Sequence, residues 1–216
     1  MKKYTTVLFD LDGTLVDSGI GVTNSVAHAM ERFGITPPPR QELFKFIGPP
    51  LVQSFRDFCG FNDEQITLGI KYYREYYSDK GILECTMYDG VLELMQSLKK
   101  KGYKLSLATS KPDIYATRVA EIKGILPYLD HLAAASTDEK TRATKEAVVE
   151  YALELCEEKD RSKILMVGDR HFDINGAKSF GLDSVGVTFG YGSYEELKEA
   201  GATYIVNSMK ELDELL

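Results

Sequence analysis

Cysteine is scarce in this sequence. The chain of 216 residues carries three, at Cys59, Cys85 and Cys156. They are odd in number and far apart, and no pair has the short spacing of a zinc knuckle or a redox motif. They read as reduced thiols of a cytoplasmic protein. Long apolar runs are also missing, and none approaches the length that spans a bilayer. The basic start Met1-Lys2-Lys3 is followed too soon by Asp10 and Asp12 to open a signal peptide. Positive charge is in deficit: lysine and arginine number 26 against 33 aspartates and glutamates, a net charge of −7. That balance argues against a nucleic-acid backbone or an anionic membrane as partner. Neither a P-loop nor a dinucleotide fingerprint occurs, and Gly190-Tyr191-Gly192 reads as a turn. The histidines His28, His131 and His171 form no catalytic constellation.

What is there is an ordinary globular balance, 44% apolar and 27% charged. At roughly 150 residues per domain, it makes one large domain or two small ones. β-branched and apolar runs at 5–9, 104–108, 131–135, 163–167, 183–187 and 204–206 predict strands. Helical patterns at 91–101, 114–123, 144–157, 174–180, 194–200 and 208–215 lie between them. Strands alternating with helices predict crossover units on a doubly wound parallel sheet, an α/β fold with a Rossmann-like core.

One stretch breaks the alternation. Val26, Ala29, Met30 and Phe33, then Leu51, Phe55 and Phe58, then Ile66, Ile70, Tyr73 and Tyr77 form apolar stripes at helical spacing. Pro37-Pro38-Pro39 and Gly48-Pro49-Pro50 punctuate them. The expected organisation is an α/β core from 1–16 and 86–216, with an all-helical insertion at 17–85.

Three strand ends carry chemistry. The first runs into Asp10-Leu11-Asp12-Gly13-Thr14-Leu15. Two carboxylates one residue apart at the end of a buried strand repel each other and are costly to desolvate, which a bound cation relieves. The alternative is an Asp- and Gly-rich turn capping the next helix. A calcium loop is a poor fit, because Leu15 and Gly21 stand where it needs glycine and glutamate. The second strand runs into Thr109-Ser110-Lys111, which suits an anion site or a plain helix cap. A later strand ends in Gly168-Asp169-Arg170-His171-Phe172-Asp173, a second acid pair or a dipole-favoured cap. All three lie at the carboxyl edge of the predicted sheet, where open α/β sheets bind ligands.

These residues resemble the motifs of the haloacid-dehalogenase superfamily phosphatases, in the phosphoglycolate-phosphatase-like subgroup with a helical cap. Residues 10–18 match the first motif, Thr109-Ser110-Lys111 the second, and Gly168-Asp169 with Asp173 the fourth. For the third motif's lysine, Lys145 is the match and Lys140 the competitor. The resemblance implies a Mg²⁺-dependent phosphatase acting on a small phosphorylated metabolite. Asp10 is then the nucleophile and Asp12 the general acid and base. Thr109, Ser110 and Lys145 bind phosphate, while Asp10, Asp12 (through its carbonyl), Asp169 and Asp173 hold the metal. Gly48 and Pro49 lie on the cap loop that faces the active site, and Val22 helps to choose the substrate. A sugar phosphomutase of the same superfamily shares Asp10 and Asp12. A non-enzymatic phospho-acceptor receiver module needs neither Asp12 nor a large lid.

Overall fold

The computed structural model describes residues 3–138 and 141–216. The chain opens with strand β1 (Thr6–Phe9), buried along its whole length. It continues through β2 (Val16–Asp17) into α1 (Gly19–Arg32), α2 (Arg40–Leu43), α3 (Leu51–Cys59) and α4 (Asp63–Tyr76), which ends in a π-turn at Tyr77–Gly81. After β3 (Thr86–Met87), strands and helices alternate. They are α5 (Val91–Lys100), β4 (Lys104–Pro112), α6 (Asp113–Ile122), β5 (His131–Ala135), α7 (Lys145–Leu155), β6 (Ile164–Gly168), α8 (His171–Ser179), β7 (Asp183–Val187), α9 (Tyr194–Ala200), β8 (Tyr204–Val206) and α10 (Met209–Leu215).

Among the described residues, six strands form one parallel sheet in the order β5-β4-β1-β6-β7-β8. The chain winds outward from β1 to β4 and β5, then crosses back to β6, β7 and β8 on the other side. The switch in direction therefore falls at β1, between β4 and β6, where the fold opens a crevice beyond the strand ends.

Alternation along the strands divides the core. Val7 and Phe9 of β1, Leu105 and Leu107 of β4, and Leu165 and Val167 of β6 pack on one face. Leu8, Ala108, Ile164 and Met166 pack on the other, beneath Val148, Val149 and Ala152 of α7 and Ala177 of α8. The first of these cores runs on into the helices between β2 and β3, through Val26, Ala29, Phe55, Ile66 and Tyr73. The stripe on α3 is only partly internal. Phe55 is fully buried, but Phe58 is 39% exposed and presents its ring to Phe46 edge-on.

Sequence and structure differ most where backbone pairing is very short or irregular. β2 and β3 are two residues each, paired antiparallel as Val16 with Met87 and Asp17 with Thr86. They bring the start and finish of α1–α4 together, and no two-residue strand carries a readable period. β4 extends past its predicted end at 108 to Pro112. Between Thr109 and Pro112 its register against β5 shifts, leaving Ser110 and Lys111 without partners in that ladder. Such a bulge re-aims side chains, and it sits beside the crevice. α8 starts at His171, three residues before its predicted start, because Asp173 accepts a hydrogen bond from the Arg170 N–H at 3.1 Å and stabilises the helix entry. No helix among the described residues is long and apolar enough to cross a membrane.

Candidate active site

Asp10 follows β1 directly and is buried. Asp169 follows β6, and Asp173 lies in the first turn of α8; both are buried too. Since β1 and β6 are hydrogen-bonded neighbours, their ends bring these acids together. One carboxylate oxygen of each lies within 4.8 Å of the others. Two glycines make the approach possible. A Cβ on Gly13, whose φ is +88°, would fall on the Asp169 carboxylate, and one on Gly168 would fall on that of Asp173.

Lys145 is the cation of this cluster. It is the first residue of α7, placed by the Thr144 hydroxyl, which accepts a hydrogen bond from the Ala147 N–H. Its Nζ lies 2.7 Å from Asp10 Oδ1, 2.7 Å from Asp173 Oδ1 and 3.0 Å from the carbonyl oxygen of Ala108. Lys140, its competitor in the sequence, lies outside the described residues. Burial works against the Lys145 charge. The carboxylates of Asp10 and Asp173 more than offset it and hold the ammonium above the ordinary lysine range.

One lysine does not balance three acids. Burial pushes the Asp10 carboxyl up to about 6, Lys145 pulls it back, and the charge of Asp173 raises it further. Burial pushes Asp169 well above the usual carboxylate range as well, with the charges of Asp173 and Asp10 adding to it. Asp169 is held by the Tyr191 N–H, 2.7 Å from its Oδ2, and by the Thr14 hydroxyl, 3.4 Å from its Oδ1. Three ionised carboxylates and one ammonium leave −2 in a buried pocket of hard oxygen donors. That donor set fits a small divalent cation such as magnesium.

Replacing Lys145 with methionine should therefore destabilise the chelator-treated protein by about 3–5 kcal/mol, the usual cost of breaking a buried ion pair on one side. Urea unfolding with and without added magnesium measures it, and magnesium should recover part of the loss. A loss below about 1 kcal/mol would show that these contacts contribute little.

A cavity opens over Asp10. Thr109 and Ser110 line it from the sheet side, and the loop at Gly48 and Pro49 lines it from the helical insertion with Val22 of α1. Thr109 is buried, and its hydroxyl accepts a hydrogen bond from the Lys111 N–H at 3.2 Å. The structure thus brings together Asp10, Thr109, Ser110, Lys145, Asp169, Asp173, Gly48 and Pro49. The side chain of Asp12 stands apart from the acid cluster: both its oxygens accept from Lys111 Nζ, at 2.9 and 2.8 Å. Its backbone carbonyl is the group that the motif resemblance implies as a metal ligand.

Three contacts around this site were not legible in the motifs. Tyr191, in what reads as a plain Gly-Tyr-Gly turn, donates its N–H to Asp169 and its hydroxyl to Asp17 Oδ1 at 2.6 Å. Arg170 binds Glu196 at 2.8 Å and donates to the Ile47 carbonyl at 3.0 Å, tying the loop before Gly48 to α8. Lys111 enters the cavity from the bulge in β4. A bulge has no period, and a long-range pair has no local signature.

Comparison with known proteins follows the same outline. The sequence profile of the haloacid dehalogenase-like hydrolases matches residues 7–187. The crystal structure of a predicted phosphatase from Clostridium acetobutylicum superposes with a TM-score of 0.95 at 45% identity, covering 99% of this chain and 98% of that one. A 5'-nucleotidase of Pseudomonas aeruginosa is 35% identical over 214 residues, 99% of this chain and 96% of its own length. The tyrosine-protein kinase PtkA of Mycobacterium tuberculosis is 34% identical over 210 residues, 97% of this chain and 70% of its own length.

Proposed function

This chain belongs to the haloacid dehalogenase-like hydrolase family, and on that premise we propose that it is a magnesium-dependent phosphatase that hydrolyses a small phosphate monoester through an aspartyl-phosphate on Asp10. The observation that supports this most directly is the buried cluster of Asp10, Asp169 and Asp173, paired with Lys145, whose Asp10 lines a cavity together with Thr109 and Ser110. We read residues 17–85 as a cap over a core of 1–16 and 86–216. We also read the protein as cytoplasmic, since Cys59, Cys85 and Cys156 are all free thiols.

The chemistry follows from charge. A phosphate monoester is a dianion, and a carboxylate approaches it only after neutralisation. Asp10, Asp169, Asp173 and the carbonyl of Asp12 would hold magnesium, which supplies that positive charge at the phosphoryl oxygens. Thr109, the N–H of Ser110 and Lys145 hold the remaining phosphoryl oxygens and stabilise the charge that develops on them.

Asp10 attacks phosphorus in line. The Asp10 oxygen–phosphorus bond forms as the ester bond breaks, and Asp12 gives the departing oxygen a proton. Asp12 then takes a proton from water, which attacks the aspartyl-phosphate. Phosphate leaves and the Asp10 carboxylate is restored. The cap loop at Gly48 and Pro49 excludes bulk water from the intermediate and reads the leaving group.

The relatives bear names as different as a nucleotidase and a tyrosine kinase, so the substrate must come from experiment. A panel of phosphorylated metabolites assayed for phosphate release, with and without magnesium, tests the proposal. Magnesium-dependent release from at least one small ester is expected. Isomerisation of a sugar phosphate without net release of phosphate would mark a mutase and overturn it.

A further inference from the structure

The reaction above needs Asp12 to move a proton at the ester oxygen, yet the Asp12 carboxylate is pinned. Both oxygens are held by Lys111 Nζ, at 2.9 and 2.8 Å. The Lys111 side chain is 5% exposed, and among the described residues Asp12 is its one acidic partner. Its ammonium also lies 4.9 Å from the centre of the Tyr77 ring, on the π-turn of the helical insertion. Lys111 therefore sits at the seam between insertion and sheet. The cavity over Asp10 reaches it, with Tyr73, Tyr77 and Tyr115 as an apolar wall.

A buried ammonium cannot give up its only acidic partner without a replacement. Among the described residues no other carboxylate lines this cavity except Asp10, which Lys145 already holds. The replacement must then arrive with the substrate. Because the Asp12 carboxylate has to reach the ester oxygen, and Lys111 is in contact with that same carboxylate, the incoming acid must lie close to the ester oxygen.

We propose that Lys111 is a specificity residue that reads an anionic group on the leaving alcohol, exchanging Asp12 for that group and so releasing Asp12 to the scissile oxygen. The inference rests on the phosphatase reading. It names the substrate class: phosphate monoesters whose alcohol carries a carboxylate or second phosphoryl group within a few bonds of the ester oxygen. A neutral leaving group has nothing to exchange and leaves Asp12 pinned. Lys111 is suited to the task, since Asp12 offsets its burial and keeps its pKa above the ordinary lysine value.

The test compares 2-phosphoglycolate with its neutral amide, which has nearly the same shape. In the wild-type protein kcat/KM should favour the carboxylate by at least about tenfold, the scale of one charge-assisted hydrogen bond. In Lys111→Met the ratio should fall toward one. The carboxylate's KM should rise, and the amide's kcat should rise because Asp12 is no longer held. A purely structural role would lower both substrates together. Lys111→Arg should keep part of the preference. Product inhibition of the wild-type protein needs no variant: glycolate should inhibit at least about tenfold more strongly than glycolamide. Equal inhibition, or an unchanged ratio in folded Lys111→Met, overturns the proposal. Turnover of p-nitrophenyl phosphate without a carboxylate preference sinks this inference alone. Failure to hydrolyse any ester sinks the phosphatase reading as well.

Discussion

Asp10→Asn should abolish turnover and leave the protein folded. The amide keeps the shape of the carboxyl but cannot form an aspartyl-phosphate, so kcat should fall by at least about 10⁴-fold, as removal of other enzymatic nucleophiles does. The fold should tolerate the change, because Lys145 keeps its contact with Asp173 at 2.7 Å and with the Ala108 carbonyl. Removing one of three crowded charges should also relieve the repulsion that raises Asp169.

The pH dependence of stability reports on the same repulsion. In metal-free protein Asp10 titrates at about 6 when folded, against an ordinary value of 3.8. Between those values the folded state binds more protons than the unfolded one, so this group makes the protein less stable as pH rises from about 4 to about 6. Asp10→Asn lacks that contribution, and its stability relative to wild type should improve across this window. Urea unfolding of both proteins at several pH values measures the difference. Full turnover by folded Asp10→Asn would remove Asp10 from the nucleophile's role.

The second large effect is that of the divalent ion. Chelation should remove turnover, and magnesium should restore it. The charge compensation at stake is several kcal/mol of transition-state stabilisation, on the order of 10³-fold in rate. A readout independent of activity is thermal unfolding. An ion that binds only the folded state stabilises it by about 2.7 kcal/mol at 100 times its Kd. For a chain of this size, each kcal/mol is about 2–4 °C in Tm. The rise in Tm should grow as pH increases through about 6, where Asp10 ceases to hold its own proton. It should be lost in Asp169→Asn. A Tm unmoved by magnesium across this range would contradict the assignment of the acid cluster to a metal.

Much of this arrangement was legible in the sequence because it is local. The strands at 131–135, 183–187 and 204–206 and the helix at 194–200 fall where their patterns predict. Parallel strands joined by helical crossovers follow from the alternation, while the order β5-β4-β1-β6-β7-β8 does not. Acids at strand ends announce themselves because desolvated charge at such places is rarely accidental. Asp173 shows why the cap and site readings did not compete: one oxygen caps α8 and the other meets Lys145. What stayed hidden depends on distance in space rather than spacing in sequence. The pair between Asp12 and Lys111 spans 99 positions, and Tyr191 reaches Asp17 across 174. The bulge that presents Lys111 is a shift in register, which only the partner strand defines.

The pairing of Val16 with Met87 and Asp17 with Thr86 has a wider consequence. Where two ends of an excursion sit side by side, closing the loop costs little and depends only weakly on what lies between them. The closure cost at that doorway is therefore set by β2 and β3 more than by the length of chain hung from them. A different module with ends the same distance apart could be transplanted onto β2 and β3 while the phosphate chemistry stayed in place.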